Sequence, residues 1–157
     1  MQPILPHLLN ALLYGALALY FWRTRWASTT PLSPVKDVAL STAEHCMILA
    51  PLALHTALLA RSVFAPDGLH LGVGNAVSAI LWLTVLIYWA GHLFQRVDGL
   101  QMLVMPVAAA GALLPALLPS LRPLPNTGSP AFAAHLLMAM LAYSLFTIAS
   151  LHVLLMA

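Results

Sequence analysis

The 157-residue sequence has 62% hydrophobic and only 6% charged residues, and its mean hydropathy is +0.93. Soluble domains carry roughly 25% charged residues, so this composition excludes an ordinary soluble domain and indicates an integral membrane protein. The formal charge of +2 comes from 6 basic and 4 acidic residues dispersed along the chain. Since they form no basic block, we expect no nucleic-acid partner. The single cysteine, Cys46, excludes an internal disulfide and a CxxC redox motif.

Long stretches without Asp, Glu, Lys or Arg predict membrane-spanning helices, because a bilayer span needs about 20 mostly apolar residues. The predicted helices, in chain order, are Ile4 to Trp22, Glu44 to Phe64, Leu71 to Phe94, Leu100 to Leu118 and Phe132 to Ala157. Joined by short loops, these helices leave no room for a soluble domain. We therefore expect an all-α, polytopic transmembrane bundle of about five spans, forming a single domain over residues 1–157.

The basic residues in the loops predict the side of the N-terminus. With an external N-terminus, the cytoplasmic loops hold Arg23, Arg25, Lys36 and Arg96. The external loops then hold only Arg61 and Arg122. The positive-inside rule therefore favours an N-terminus outside. On this orientation His55 lies roughly 16 Å along its helix from Glu44, well inside the hydrocarbon.

The histidines are the candidate functional residues, and each has a structural alternative. His55 is the deepest ionisable group, and an unpaired polar group in lipid costs several kcal/mol, so this imidazole must face a partner, a cavity or a cofactor. Its structural alternative is a hydrogen bond to a neighbouring helix. His135 has the alternative of an interfacial ring that reaches the headgroups. His152 lies roughly 25 Å further along the same helix, so it cannot share a small ligand with His135.

Other polar residues give weaker signals. Three histidines fall at predicted helix ends or in loops, where an imidazole is easily solvated. They are His7, His70 and His92. The tetrapeptide "EHCM" at 44–47 is not expected to bind a metal, because consecutive helical residues point about 100° apart. Glu44 and His55 share a helical face three turns apart, which leaves open a proton relay or metal path along that face.

Three segments in order resemble a known family: "PLALHTALLA" at 51–60, "LGVGNAVSAILWLTVLI" at 71–87 and "AAHLLMAMLAYSLFTIASLHVLLMA" at 133–157. Together they resemble the CcsA-type cytochrome c assembly proteins, most closely the small HemX/YpjD-like branch. In that family an apolar helix with an internal His precedes a helix that opens with an Asn- and Ser-containing stretch. A later helix carries a His followed, eight residues on, by a Tyr.

This resemblance implies a set of site residues. His55 matches the first motif, and Asn75 and Ser78 match the second. His135 with Tyr143 and Ser144 matches the third. What the resemblance implies is a non-covalently bound b-type haem with His55 and His135 as axial ligands. Asn75, Ser78 and Tyr143 would then supply polar contacts around them. The second and fifth helices would face each other across the haem.

The function implied by the resemblance is haem binding and handling in cytochrome c biogenesis, by positioning and without enzymatic activity. The expected location is the bacterial inner membrane. The expected partners are haem, the lipid bilayer and other cytochrome c assembly membrane proteins. The resemblance covers only the N-terminal half of the family architecture, so we expect this chain to be the N-terminal part of a longer one. Two alternatives remain: a scaffold or regulator of haem-pathway proteins, and a proton or metal transporter fragment that uses Glu44 and His55.

Overall fold

The described part of the chain folds into a bundle of five α-helices with one short β-hairpin, and a π-helical turn, Trp22–Trp26, follows the first helix. The computed structural model describes residues 4–26, 41–94, 99–125 and 127–156, with Arg25 and Trp26 described by their backbone only. The elements are α1 (Ile4–Phe21), α2 (Thr42–Val63), β1 (Phe64–Ala65), β2 (Gly68–Leu69), α3 (Val73–His92), α4 (Gln101–Leu117) and α5 (Pro130–Met156). The predicted all-α bundle is confirmed, and every predicted helix end lies within two residues of the observed one.

Four helices, α1, α2, α3 and α5, are long and apolar enough to cross a membrane. The remaining helix, α4, is apolar but only 17 residues long and contains Pro106 and Pro115. The protein is therefore a multi-pass membrane protein, as its composition predicts. Lys36 and Arg96, on which the predicted orientation partly depends, lie outside the described residues. The external N-terminus stays a prediction.

The packing order of the helices determines which residues meet. α1 packs chiefly against α4, and α4 packs against α3, so these three helices form the centre of the bundle. α2 lies beside α1 and α3, and α5 lies mainly against α3. Large apolar side chains such as Tyr14, Phe21, Ile48 and Met105 fill the space between the helices. Burial of these side chains holds α1, α2 and α4 together.

The fifth helix is only lightly attached to the bundle. Of its residues only Ser144 and Leu151 are buried. The Ser144 hydroxyl lies 3.0 Å from the carbonyl oxygen of Ile80 in α3, and this contact places α5 against α3. α5 packs on α3, and a cleft separates it from α2. The expectation that α2 and α5 face each other across a haem stays a prediction.

A capping box begins α2. The Ser41 hydroxyl accepts a hydrogen bond from the Glu44 backbone N–H (3.2 Å), and the Glu44 carboxylate accepts one from the Ser41 N–H (2.7 Å). These two bonds satisfy donors that a helix N-terminus otherwise leaves without partners. The Glu44 carboxylate is thus engaged at the start of its own helix.

Close approach of α3 and α4 depends on glycine. A Cβ atom on Gly111 would lie 2.6 Å from a side-chain carbon of Leu81. A Cβ atom on Gly74 would lie 2.7 Å from the backbone oxygen of Leu114 and would also collide with that of Leu118. Backbone atoms cannot rotate away as a side chain does, so Gly74 sets the distance between the start of α3 and the end of α4.

We predict that Gly74→Ala lowers the free energy of unfolding by about 1–3 kcal/mol, because the added methyl group overpacks the α3–α4 contact. Gly15→Ala is the matched control, since a Cβ atom there has nothing within 4 Å and alanine favours a helix. Unfolding of both variants in detergent, followed by circular dichroism, measures the difference. Equal stability of Gly74→Ala and the wild type would contradict the close approach.

Candidate functional site

His55 is buried in the interior of the bundle, with 1% of its surface exposed. Its Nε2 atom is hydrogen-bonded to the Ser78 hydroxyl of α3 at 3.0 Å. Tyr14 of α1 packs edge-on against the imidazole, with 5.8 Å between the ring centroids. The Nδ1 atom of His55 is also buried and has no hydrogen-bond partner among the described residues. One nitrogen of this imidazole is thus anchored, and the other is available to a ligand.

Three polar residues on one face of α1 share this interior. His7, Asn10 and Tyr14 follow the spacing i, i+3, i+7, which places them on one side of a helix. They are 1%, 0% and 0% exposed, respectively. The Nδ1–H of His7 donates to the carbonyl oxygen of Ala112 in α4 at 2.9 Å. Its Nε2 atom, the Tyr14 hydroxyl and both amide atoms of Asn10 have no partner among the described residues.

His7 is buried, although its place at a predicted helix end indicates an easily solvated imidazole. α1 begins at Ile4 and turns this face towards α4, which buries His7 against Ala112. The signal that was present is the polar spacing of His7, Asn10 and Tyr14 in a helix that is otherwise apolar. That spacing indicates a face packed against protein and not against lipid.

We call His7, Asn10, Tyr14, His55 and Ser78 the imidazole cluster. His7, Asn10 and Tyr14 share one face of α1, and the next buried residues on that helix, Leu17 and Phe21, are apolar. The polar cluster therefore ends at Tyr14. A buried polar atom without a partner costs about 1–3 kcal/mol, and the cluster holds several such atoms. Polar groups maintained at that cost inside a membrane protein are typical of a functional site.

Asn75 lies one helical turn from Ser78 but has a different role. Its side-chain amide donates to the carbonyl oxygen of Ser62 at 3.0 Å and to that of His70 at 2.6 Å. These bonds tie the end of α2 and the loop after the hairpin to the start of α3. Asn75 therefore holds α2 in the position that brings His55 to Ser78.

His135 and Tyr143, the other two predicted site residues, lie apart from the cluster. Both are exposed on α5, Tyr143 by 61%. Ser144 faces α3, and His135 precedes it by nine residues, which is about 180° round a helix. The structure thus brings His55 and Ser78 together, with Asn75 nearby, but it does not bring His135 or Tyr143 to them.

An apolar cleft separates α2 from α5, and α3 forms its floor. The cavity measures about 270 Å³. Its lining residues include Thr56, Leu59, Trp82, Leu136 and Met140. The Trp82 ring N–H donates to the Thr56 hydroxyl at 2.9 Å, which leaves the walls apolar.

A haem held by both His55 and His135 does not fit this arrangement. The cleft is smaller than the roughly 300–1,000 Å³ of common small-molecule sites, and neither histidine lines it. His55 alone fits the role of an axial ligand, because Ser78 fixes its ring through one nitrogen and leaves the other free. A metal-binding histidine is commonly held in this way.

A second group of aromatic and polar rings lies at the opposite end of the bundle. The His45 ring is 6.1 Å from that of His92 and 6.3 Å from that of Trp89, measured between centroids. The Tyr88 hydroxyl donates to the Gln101 side-chain oxygen at 3.0 Å. Cys46, the neighbour of His45, is exposed, so the "EHCM" side chains point in different directions.

The hairpin loop carries an ion pair outside the membrane-spanning helices. His70 donates through Nε2 to Asp67 at 3.0 Å and through Nδ1 to the carbonyl oxygen of Ser120 at 3.2 Å. The hydrogen bond to Asp67, followed by the one to Ser120, raises the pKa of His70 above its ordinary 6.5. The hydrogen bond from His70 lowers the pKa of Asp67 below its ordinary 3.8. The pair ties the hairpin to the segment before α5.

The chain matches no protein-family model, no curated protein and no solved structure. Function is therefore inferred from the side chains of the imidazole cluster and from the family resemblance of the helices that carry them.

We predict that Asp67→Asn lowers the pKa of His70 towards 6.5, because the substitution removes the carboxylate that holds the proton. In the wild type, the raised pKa of His70 adds stability at acidic pH, which is lost as pH rises through that pKa. The lowered pKa of Asp67 adds stability that is lost on acidification. The ion pair therefore contributes most to the stability of the fold between pH 3.8 and pH 6.5. An NMR titration of His70 measures the shift, and an unchanged midpoint would contradict it.

Proposed function

We propose that this protein is a haem-binding membrane protein that acts in cytochrome c assembly in the bacterial inner membrane. His55 carries the proposal: it is 1% exposed, its Nε2 atom is held by Ser78, and its Nδ1 atom lacks a partner among the described residues. Haem iron accepts an imidazole nitrogen as an axial ligand. The segments around His55 and Ser78 are two of those that resemble the CcsA-type assembly proteins.

The residues around His55 suit it to hold such a group. The hydrogen bond to Ser78 holds the imidazole ring in place, and Tyr14 limits its rotation by packing edge-on. Leu52 and Leu59, one turn away on either side in α2, are buried and supply apolar surface. The iron chemistry belongs to the haem, whereas the protein binds, orients and excludes water.

His135, the second ligand that the resemblance implies, has a suitable depth but not a suitable direction. It lies five residues from the start of α5, and His55 lies eight residues from the end of α2, or roughly 8 and 12 Å along their helices. A hydrogen bond from the Leu124 N–H to the Leu69 carbonyl oxygen joins the segment that precedes α5 to the hairpin that follows α2. α5 must turn before its His135 can approach α2.

The transporter alternative gains no support from Glu44. Its carboxylate accepts the Ser41 N–H at the N-terminus of α2 and lies 3.5 Å from the Tyr20 hydroxyl. These contacts explain its burial without a transported ion. The non-binding scaffold remains the alternative to haem binding.

We predict that ferric haem added to the detergent-solubilised protein gives a shifted Soret band, and that His55→Ala weakens haem affinity by about tenfold or more because an axial ligand is lost. His152→Ala is the matched control, since this histidine is half-buried at the other end of α5. Absorption titrations of the wild type, both variants and His135→Ala measure the affinities.

Wild-type affinity in the His55→Ala variant would overturn the assignment of His55. A wild type that takes up no haem would favour the scaffold alternative. Weakened binding in His135→Ala would support the second ligand that the resemblance implies.

A further inference from the structure

The apolar cleft between α2 and α5 is open on the outer surface of the bundle, because Ala60, Phe64 and Leu137 on its walls are exposed. Both helices are long and apolar enough to cross a membrane, so this surface faces lipid. We propose that the cleft binds one acyl chain of an anionic phospholipid, whose headgroup lies beside Arg122. This inference goes beyond the proposed function and does not depend on haem binding.

The polar side chains that line the cleft are already hydrogen-bonded. They are Thr56 and Trp82, and the Trp82 ring N–H donates to the Thr56 hydroxyl at 2.9 Å. That hydroxyl in turn donates to the carbonyl oxygen of Leu52 at 2.8 Å. A water molecule or a polar ligand needs two to four polar partners, and these side chains have none to spare. A hydrocarbon chain needs no such partner, so the walls suit it.

The depth of the cleft matches one leaflet of a bilayer. On α2 the lining residues run from Val63, the last residue of the helix, back to Thr56, which is roughly 10 Å along the axis. On α5 the deepest lining residue is Met140, roughly 15 Å from the helix start at Pro130. The hydrocarbon core is about 30 Å thick, so one leaflet contributes about 15 Å of it. The cleft thus has the depth that one acyl chain of the hairpin-side leaflet occupies.

Arg122 lies beside the hairpin strand at the mouth of the cleft. Leu69 of β2 lines the cleft, and its carbonyl oxygen accepts a hydrogen bond from the Leu124 N–H at 2.8 Å. A Cβ atom on Gly68, also in β2, would lie 3.1 Å from the side chain of Pro123. The segment that contains Arg122 is thus held against the strand, and the Arg122 side chain is exposed there. A guanidinium at this place can bind the phosphate of a headgroup.

The charge at this end of the bundle favours an anionic lipid. The charged residues that the structure describes there are Arg61, Asp67 and Arg122. Asp67 is paired with His70, with 3.0 Å between the carboxylate and Nε2. The two arginines therefore leave this end positive at neutral pH, which attracts anionic headgroups more strongly than zwitterionic ones.

The apolar walls and the charged mouth have different effects on binding. Bulk lipid is as apolar as the walls, so the walls alone cannot select one lipid over another. Selectivity must come from the headgroup, and therefore from Arg122. A bound chain would contact Leu59 on α2 and Leu136 on α5, and would add van der Waals packing between helices that the cleft separates. The lipid would in this way support α5, of which only Ser144 and Leu151 are buried.

Trp82 is a built-in reporter for this inference, because its ring lines the cleft and brominated acyl chains quench tryptophan fluorescence on contact. The protein is placed in mixed vesicles of phosphatidylglycerol and phosphatidylcholine in which only one of the two lipids is brominated. The signal of Trp82 is the difference between the wild type and Trp82→Phe. We expect phosphatidylglycerol to bind beside Trp82 about fivefold more tightly than phosphatidylcholine, the preference that one basic residue near the headgroup supplies.

Matched variants test the two parts of the site. We expect Ala60→Phe to fill the cleft and abolish the preference, whereas Ala57→Phe retains it, because Ala57 is equally exposed on α2 but does not line the cleft. We expect Arg122→Gln to bind both lipids equally. Arg23→Gln is its control and retains the preference, since Arg23 is exposed at the opposite end of α1. Circular dichroism checks that each variant is folded.

Equal quenching of wild-type Trp82 by the two brominated lipids would overturn the inference, because the cleft would then contact only bulk lipid. Absence of quenching by either lipid would also overturn it, since protein, such as a second copy of the chain, would then cover the cleft. A preference that persists in Ala60→Phe or in Arg122→Gln would place the selective site elsewhere on the bundle. None of these outcomes bears on haem binding by His55.

Discussion

The structure depends on the constraint that an imidazole in the interior of a membrane protein needs partners for both of its nitrogens. His55 has one, the Ser78 hydroxyl, and only because α3 lies against α2 at this level. Asn75 secures that position by bonding carbonyl oxygens of Ser62 and His70. Tyr14 packs edge-on against the same ring, and it comes from a face of α1 on which only His7, Asn10 and Tyr14 are polar. The two sides of the imidazole cluster therefore come from different helices and depend on the helix order α1, α4, α3.

The helix boundaries could be predicted because they depend on length and charge. Ser41 and Glu44 form the capping box that begins α2, and apolar runs between charged residues locate the other helices. The depth of His55 follows from its distance along that helix. Helix pairing could not be predicted, because in lipid the surfaces that face protein and those that face the bilayer are both apolar. Nothing in the sequence of α5 indicates that Ser144 faces α3 and that His135 faces away.

The burial of His7 also could not be predicted from the sequence. From its position at the start of the first predicted helix alone, His7 is expected to be solvated. Its burial is decided by the carbonyl oxygen of Ala112, which is 105 residues away in sequence. The local spacing with Asn10 and Tyr14 indicates a protein-facing side of α1, but it does not specify the partner helix. Tertiary contact supplies that information.

The atoms without partners in the imidazole cluster also bear on affinity. Each such buried atom raises the free energy of the ligand-free protein by about 1–3 kcal/mol. A ligand that satisfies the free nitrogen of His55 would remove part of this cost, so its binding would be stronger than new contacts alone would make it.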